Sequence, residues 1–210
     1  TSVVSNGALK GKDLKQLIEE FKGDLLGSKI YDHFGNKFPL LIKFIDAQKD
    51  LSIQLHPGDE LAKSRHNSFG KTEMWSVMDA GPGAQFIVGF ERDVSRQEYQ
   101  RAMHEKKLPQ LLHYEPVSEG DGFFINSGKI HAIGAGILLA EIQQSSDVTY
   151  RVYDFDRRDD KGNLRELHTE LALDAMDFEK KDDFKIAYTQ LRNRENLMVS
   201  SPYFNTSYLD

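Results

Sequence analysis

Leu51-Ser52-Ile53-Gln54-Leu55-His56-Pro57, with the Gly70-Lys71-Thr72-Glu73-Met74-Trp75 that follows, decides how this sequence is read. A strand sends alternate side chains to opposite faces, so Leu51, Ile53 and Leu55 share one face and Ser52, Gln54 and His56 the other. The same parity puts Lys71, Glu73 and Trp75 on one side. A two-faced sheet turns such polar rows to water. A small β-barrel with a polar interior instead gathers Gln54, His56 and Glu73 around one point, and imidazole, carboxylate and amide oxygen are all ligands for first-row metals. The strand pattern alone leaves both arrangements open.

Composition narrows the field. With 210 residues the chain can bury a substantial core. A net charge of −6, with both signs mixed throughout, gives no electrostatic footprint for nucleic acid or an anionic membrane. There is no cysteine, so any metal is held by nitrogen and oxygen. No run approaches the roughly 18 apolar residues of a membrane span, and no charged-then-apolar leader opens the chain. A soluble cytoplasmic protein is expected. The first residue is Thr1, which predicts a missing N-terminal piece.

Along the chain, Leu14, Leu17, Ile18, Phe21 and Leu25 fall at helical spacing within 11–27, with Gly23 or Gly27 as a stop. Residues 37–47 read as a buried strand and 49–56 as the next. A polar loop spans 58–70, and 71–79 with 84–90 form a hairpin around Ala80-Gly81-Pro82-Gly83. Ser95 opens a helix over 94–107. Short strands follow at 121–126, 130–134, 136–144 and 148–155, then a helix at 166–176 and strand-like stretches at 184–191 and 197–210. His104 reads as a solvated helix residue. His33, His66, His113 and His168 have no partner at ligand spacing and read the same way. Arg151 taken alone reads as pairing with Asp147 or Asp154. Glu141, inside Leu138-Leu139-Ala140-Glu141-Ile142, needs a partner, a metal or a polar cavity. Trp75 reads as barrel packing.

Gly120-Asp121-Gly122-Phe123-Phe124-Ile125-Asn126-Ser127-Gly128-Lys129-Ile130-His131 resembles the second motif of the cupin superfamily, with Asn126 in its proline position. The Gln54-x-His56 … Glu73 stretch resembles the first. The glutamine narrows the resemblance to type I mannose-6-phosphate isomerase. So do Gly70-Lys71-Thr72-Glu73-Met74-Trp75, His131-Ala132-Ile133-Gly134 and the run from Leu139 to Asp154. The likeness runs from about Ser2 to the last residues, with the motifs in the family's order and spacing.

The resemblance implies a mainly β, cupin (jelly-roll) barrel with added helices, followed by the start of a second cupin-like domain. The expected division is 1–28, an N-terminal segment with an amphipathic helix; 29–165, the metal-binding barrel with a helical insertion near 94–115; 166–180, a linking helix; and 181–210, the beginning of an incomplete second domain. One zinc per chain is implied on Gln54, His56, Glu73 and His131. Glu141, Arg151, Ser52 and Lys71 are implied to line the site of a small sugar phosphate, with Arg151, Glu141 and Lys71 catalytic and Ser52, Lys71 and Arg151 substrate-binding. The implied activity interconverts mannose 6-phosphate and fructose 6-phosphate through an enediol. The general base stays open among Glu141, an unligated His56 and a zinc-bound hydroxide. The alternatives are a sugar-binding or regulatory cupin without turnover and, further off, an iron oxygenase, against which Gln54 weighs. Nothing in the sequence sets an oligomeric state.

Overall fold

The computed structural model describes residues 2–209 and divides into two compact units, Thr1–Leu41 and Ile42–Asp210. In the first, α1 (Leu14–Phe21) starts on an Asp13 cap whose side chain accepts the Gln16 amide, while the Gln16 side chain reaches back to Asp13. The helix does not run on to Gly27 as expected. Lys22 takes a positive φ of 47° and turns the chain into a short α2 (Gly23–Leu26), and Gly27 at φ 84° leads into α3 (Ser28–Phe34).

β1 (Leu40–Ala47), of which Ile42 onward belongs to the second unit, is followed by β2 (Ile53–Leu55), α4 (Asp59–His66), β3 (Glu73–Ala80), β4 (Gln85–Phe90) and α5 (Arg96–His104). The second unit continues with β5 (Leu112–Pro116), β6 (Gly122–Ile125), β7 (His131–Ile133), β8 (Ile137–Gln144), β9 (Tyr150–Tyr153) and α6 (Thr169–Ala175). It ends with β10 (Lys185–Ile186), β11 (Asn196–Ser200) and β12 (Asn205–Tyr208). Among the described residues these strands make two five-stranded sheets, β1-β8-β3-β6-β10 and β5-β4-β7-β2-β9, and a separate β11–β12 hairpin. The two sheets face each other as the jelly-roll barrel of a cupin.

Strand parity divides the interior as the sequence pattern requires. Trp75, Val77, Phe86, Val88, Phe123, Ile125 and Leu139 fill the apolar part between the sheets. Ile53, Leu55, Ile87, Ala132 and Val152 point the other way, from the second sheet onto Tyr99 of α5 and Ala172 and Leu173 of α6. Helices therefore cover the outer apolar face, and the alternate polar residues of β2 are turned into the barrel. No helix among the described residues is long and apolar enough to cross a membrane.

Several local expectations need correction. The 37–47 run is not a buried strand. β1 is an edge strand, so only Lys43, Ile45 and Ala47 turn inward, and Ile42 and Phe44 are 58% and 72% exposed. The loop at 58–70 contains α4, opened by Gly58 and closed by a left-handed Asn67. β5 was not foreseen, and the stretch at 184–191 keeps only the two-residue β10, paired with β6. His66 and His113 are not simply solvated: His66 Nε2 lies 2.7 Å from the Tyr150 hydroxyl, and His113 bridges Glu91 and Glu115.

Gly134 shows how closely the strands are drawn together. A Cβ there would lie 2.2 Å from the Gln85 carbonyl oxygen, which accepts the Gly134 amide. Gly134→Ala is expected to destabilise the chain by about 2 kcal/mol or more. Urea unfolding should show a lower midpoint at an unchanged slope.

Candidate metal centre

His56 leaves β2 just before Pro57 and Gly58 break the strand, and His131 opens β7, whose neighbour across the sheet is Gln54. Each imidazole is fixed from behind. Nδ1 of His56 is 2.9 Å from the Val148 carbonyl, and Nδ1 of His131 is 2.9 Å from the Lys129 carbonyl. A carbonyl only accepts, so each Nδ1 carries the proton and each Nε2 presents its lone pair. Both Nε2 atoms are buried and lack a hydrogen-bond partner.

Glu73, the first residue of β3, faces them. Its Oε1 is 3.4 Å from His131 Nε2 and accepts the Trp75 indole N–H at 3.1 Å. Its Oε2 is 3.6 Å from His56 Nε2 and 3.1 Å from Lys71 Nζ. The ligand atoms of His56, Glu73 and His131 lie within 4.8 Å of one another, and all three residues are 1% exposed. Two lone pairs and a carboxyl group thus converge, an arrangement that a shared cation satisfies. The donor set fits zinc. Trp75 belongs to this centre as well as to the packing, since it also meets the His131 ring edge-on at 5.4 Å.

Burial sets the charges. It holds His56 well below its ordinary pKa, with Lys71 and His131 adding to the effect, and brings His131 down to about 4. Glu73 is pushed up to about 7 by burial, against the pull of the Lys71 ammonium. A metal must take the Glu73 carboxylate in its ionised form, so zinc uptake at pH 6 is expected to release about one proton, and at pH 8 almost none. Apparent zinc affinity should fall as pH drops below about 7. An indicator dye in weak buffer measures the release; proton-free uptake at pH 6 would mean that Glu73 is already ionised there.

A cavity of about 210 Å³ opens beside these ligands, lined by Ser52, Gln54, Lys71, Glu73, His131 and Glu141 among others. Gln54 Oε1 accepts the Ser52 hydroxyl at 3.3 Å. Glu141, 4% exposed, forms an ion pair with Lys43, which also lines the cavity. Arg151 is not among the lining residues. It reaches the cavity's edge through Ser52, with Nε 3.3 Å from Oγ, while Nη1 donates to the Glu166 carbonyl at 3.0 Å. Asp154, one of the two aspartates expected to hold it, pairs instead with Arg157 and, at 3.7 Å, with Arg165.

Sequence reasoning overlooked Lys43. The signal was the one used for Glu141, a charge set in an apolar strand, and the two charges answer each other. Gln143, which shares strand parity with Glu141, is fully buried, pairs with Glu73 across the sheet and donates from Nε2 to the Gln144 and Ser146 carbonyls.

Comparison with known proteins agrees with this geometry. Residues 1–75 match the family model of phosphomannose isomerase type I, catalytic domain. The chain is 42% identical over 208 residues to the mannose-6-phosphate isomerase of Streptococcus mutans, covering 97% of this chain and 63% of that protein. It is 42% identical over 177 residues to a mannose-6-phosphate isomerase of Bacillus subtilis, covering 84% of this chain and 54% of the relative. The crystal structure of a B. subtilis mannose 6-phosphate isomerase superposes with a TM-score of 0.87 at 36% identity, over 97% of this chain and 64% of that one. A more distant mannose 6-phosphate isomerase, crystallised with zinc and yttrium, shares the fold at a TM-score of 0.70 and 16% identity, over 94% of this chain and 70% of its own. The chain thus spans between about half and two thirds of the first-named curated relatives' length. Over the residues given, the chain is similar to the type I phosphomannose isomerases.

Proposed function

We propose that this chain is a zinc-dependent isomerase that interconverts mannose 6-phosphate and fructose 6-phosphate through an enediol. The observation that carries the reading is the convergence of the two unpartnered Nε2 atoms with Glu73 beside a polar cavity. The names of the relatives support the substrate.

Gln54, His56, Glu73 and His131 would hold the zinc, one carboxylate and three neutral donors. When bound, the ion supplies a Lewis acid for the negative charge that develops on the sugar's C1 and C2 oxygens. The chain's residues do the rest. Lys71, held against Glu73, brings a second positive charge to the cavity wall. The Lys43–Glu141 pair, with its carboxylate buried and its lysine partly exposed, lines the cavity and suits the passage of a proton between C1 and C2. His56 is a poor candidate for that base, because its Nδ1 donates to the Val148 carbonyl and its Nε2 would be taken up by the zinc. Arg151, at the rim beside Ser52, is placed to meet an anionic group of the substrate, and its planar fork matches phosphate.

A cytoplasmic site of action belongs to the same proposal. So does the reading of residues 181–210 as the beginning of a second cupin-like domain; its β11–β12 hairpin joins neither barrel sheet, which supports that reading, while β10 still pairs with β6. The test is a coupled assay with mannose 6-phosphate on chelator-treated protein. Turnover that appears on adding one equivalent of zinc is expected. Zinc and sugar phosphate binding without turnover would assign the chain to a binding module instead.

A further inference from the structure

Lys71 and Glu73 hang on a strap, residues 69–72, that crosses from α4 into β3. Its backbone is secured step by step. Ser146 Oγ donates to the Phe69 carbonyl at 2.8 Å, Gly70 N donates to Asp59 Oδ1 at 2.8 Å, and Thr72 N donates to Gln144 Oε1 at 2.8 Å. Gln144 Nε2 donates to the same Asp59 Oδ1 at 3.0 Å, and the Tyr203 hydroxyl of the loop between β11 and β12 donates to Oδ2 at 2.8 Å. The approach at Gly70 leaves no room for a side chain, since a Cβ would lie 2.6 Å from Asp59 N.

Asp59 is therefore the point where α4, the strap, the end of β8 and the C-terminal hairpin meet. It is exposed and lies outside the cavity, so neither packing nor contact with a substrate explains it. Its place in the first turn of α4 also lets its charge favour the helix dipole, but that role needs no hydrogen bond to Gly70 or Gln144.

We propose that Asp59 is a positioning residue for the metal centre: with Gln144 it holds the strap in the path that sets Lys71 Nζ against Glu73. The kinetic side of this claim rests on the isomerase reading above. An acceptor, not a charge, is what the strap requires, and the amide of Asn retains one. The experiment compares Asp59→Ala with Asp59→Asn in the full chain, by isomerase kinetics and by the fluorescence of Trp75. That residue is the only tryptophan of the chain and donates to Glu73.

Asp59→Ala is expected to lower kcat about 10- to 100-fold, the range for losing an outer-sphere support. KM should change little. Zinc should still bind, because His56 and His131 are oriented from Val148 and Lys129. Asp59→Asn should recover most of the kcat. Equal losses in the two variants, or an unchanged kcat in Asp59→Ala, would overturn the proposal. If the parent chain shows no turnover, the isomerase reading fails while the strap is still tested. Acrylamide quenching of Trp75 in the zinc-loaded protein should then rise in Asp59→Ala and return in Asp59→Asn, and equal quenching in all three would overturn it. Should Asp59→Ala not fold, Gln144→Glu takes its place. It keeps an acceptor for Thr72 N but sets a carboxylate against Asp59, and an undiminished kcat or unaltered Trp75 quenching there would count equally against the claim.

Discussion

His131→Ala is expected to reduce zinc affinity by at least about 100-fold, because even the partners behind a ligand are worth 10- to 100-fold. The imidazole contributes one of the two lone pairs that face Glu73, and its Nδ1 bond to the Lys129 carbonyl shows that the ring is aimed in advance. Its neighbours on the inner face offer no spare imidazole: Trp75 has no lone pair to give, and His56 and Gln54 are already counted among the donors. Turnover should fall with zinc occupancy and return only in part at high zinc. Competition with a chelator measures the affinity, and a melting curve of the metal-free protein checks the fold. Unchanged zinc affinity in a well-folded variant would remove His131 from the ligand set.

Lys71→Met should leave zinc in place and lower turnover about 30- to 1000-fold, the equivalent of roughly 2–4 kcal/mol of transition-state stabilisation. Methionine keeps the length and most of the apolar stem of the buried lysine, so the change removes chiefly the charge. Arg151→Ala belongs to the same range, and Arg151→Lys should not rescue it, because the planar fork that spans Ser52 and the Glu166 carbonyl is lost. Melting temperatures should move much less than rates. Near-normal turnover in either variant, or a collapse in melting temperature that accounts for the loss, would make these residues parts of the fold.

The barrel and its polar interior were legible because strand parity is a short-range rule. Ser52, Gln54 and His56 turn inward for the same reason that Ile53 and Leu55 turn toward α5 and α6. The helix at Ser95 was legible from its cap, which accepts the Glu98 amide. Parity could not say that β1 lies at a sheet edge, so the apolar run 37–47 passed for a buried strand although Phe44 faces out. Nor could it supply partners distant in sequence. Lys43 meets Glu141 only when β1 pairs with β8, and Gly70 meets Asp59 only when the strap folds back on the start of α4. Arg151 illustrates the limit from the other side: its strand register beside Gln54 brings it near the cavity, but the guanidinium follows Ser52 and Glu166 to the rim. His131 came from a resemblance, and the geometry gives it a physical reason, a lone pair directed at Glu73.

The central claim is that Gln54, His56, Glu73 and His131 hold one zinc at the polar end of the barrel. Diffraction from crystals of the zinc-loaded chain, collected on both sides of the zinc absorption edge, tests it most directly. A single anomalous peak per chain is predicted, about 2.0–2.2 Å from Nε2 of His56, Nε2 of His131 and an oxygen of Glu73, with the Gln54 amide oxygen as the fourth donor. A peak at another place on the chain, or none in the presence of excess zinc, would contradict the account.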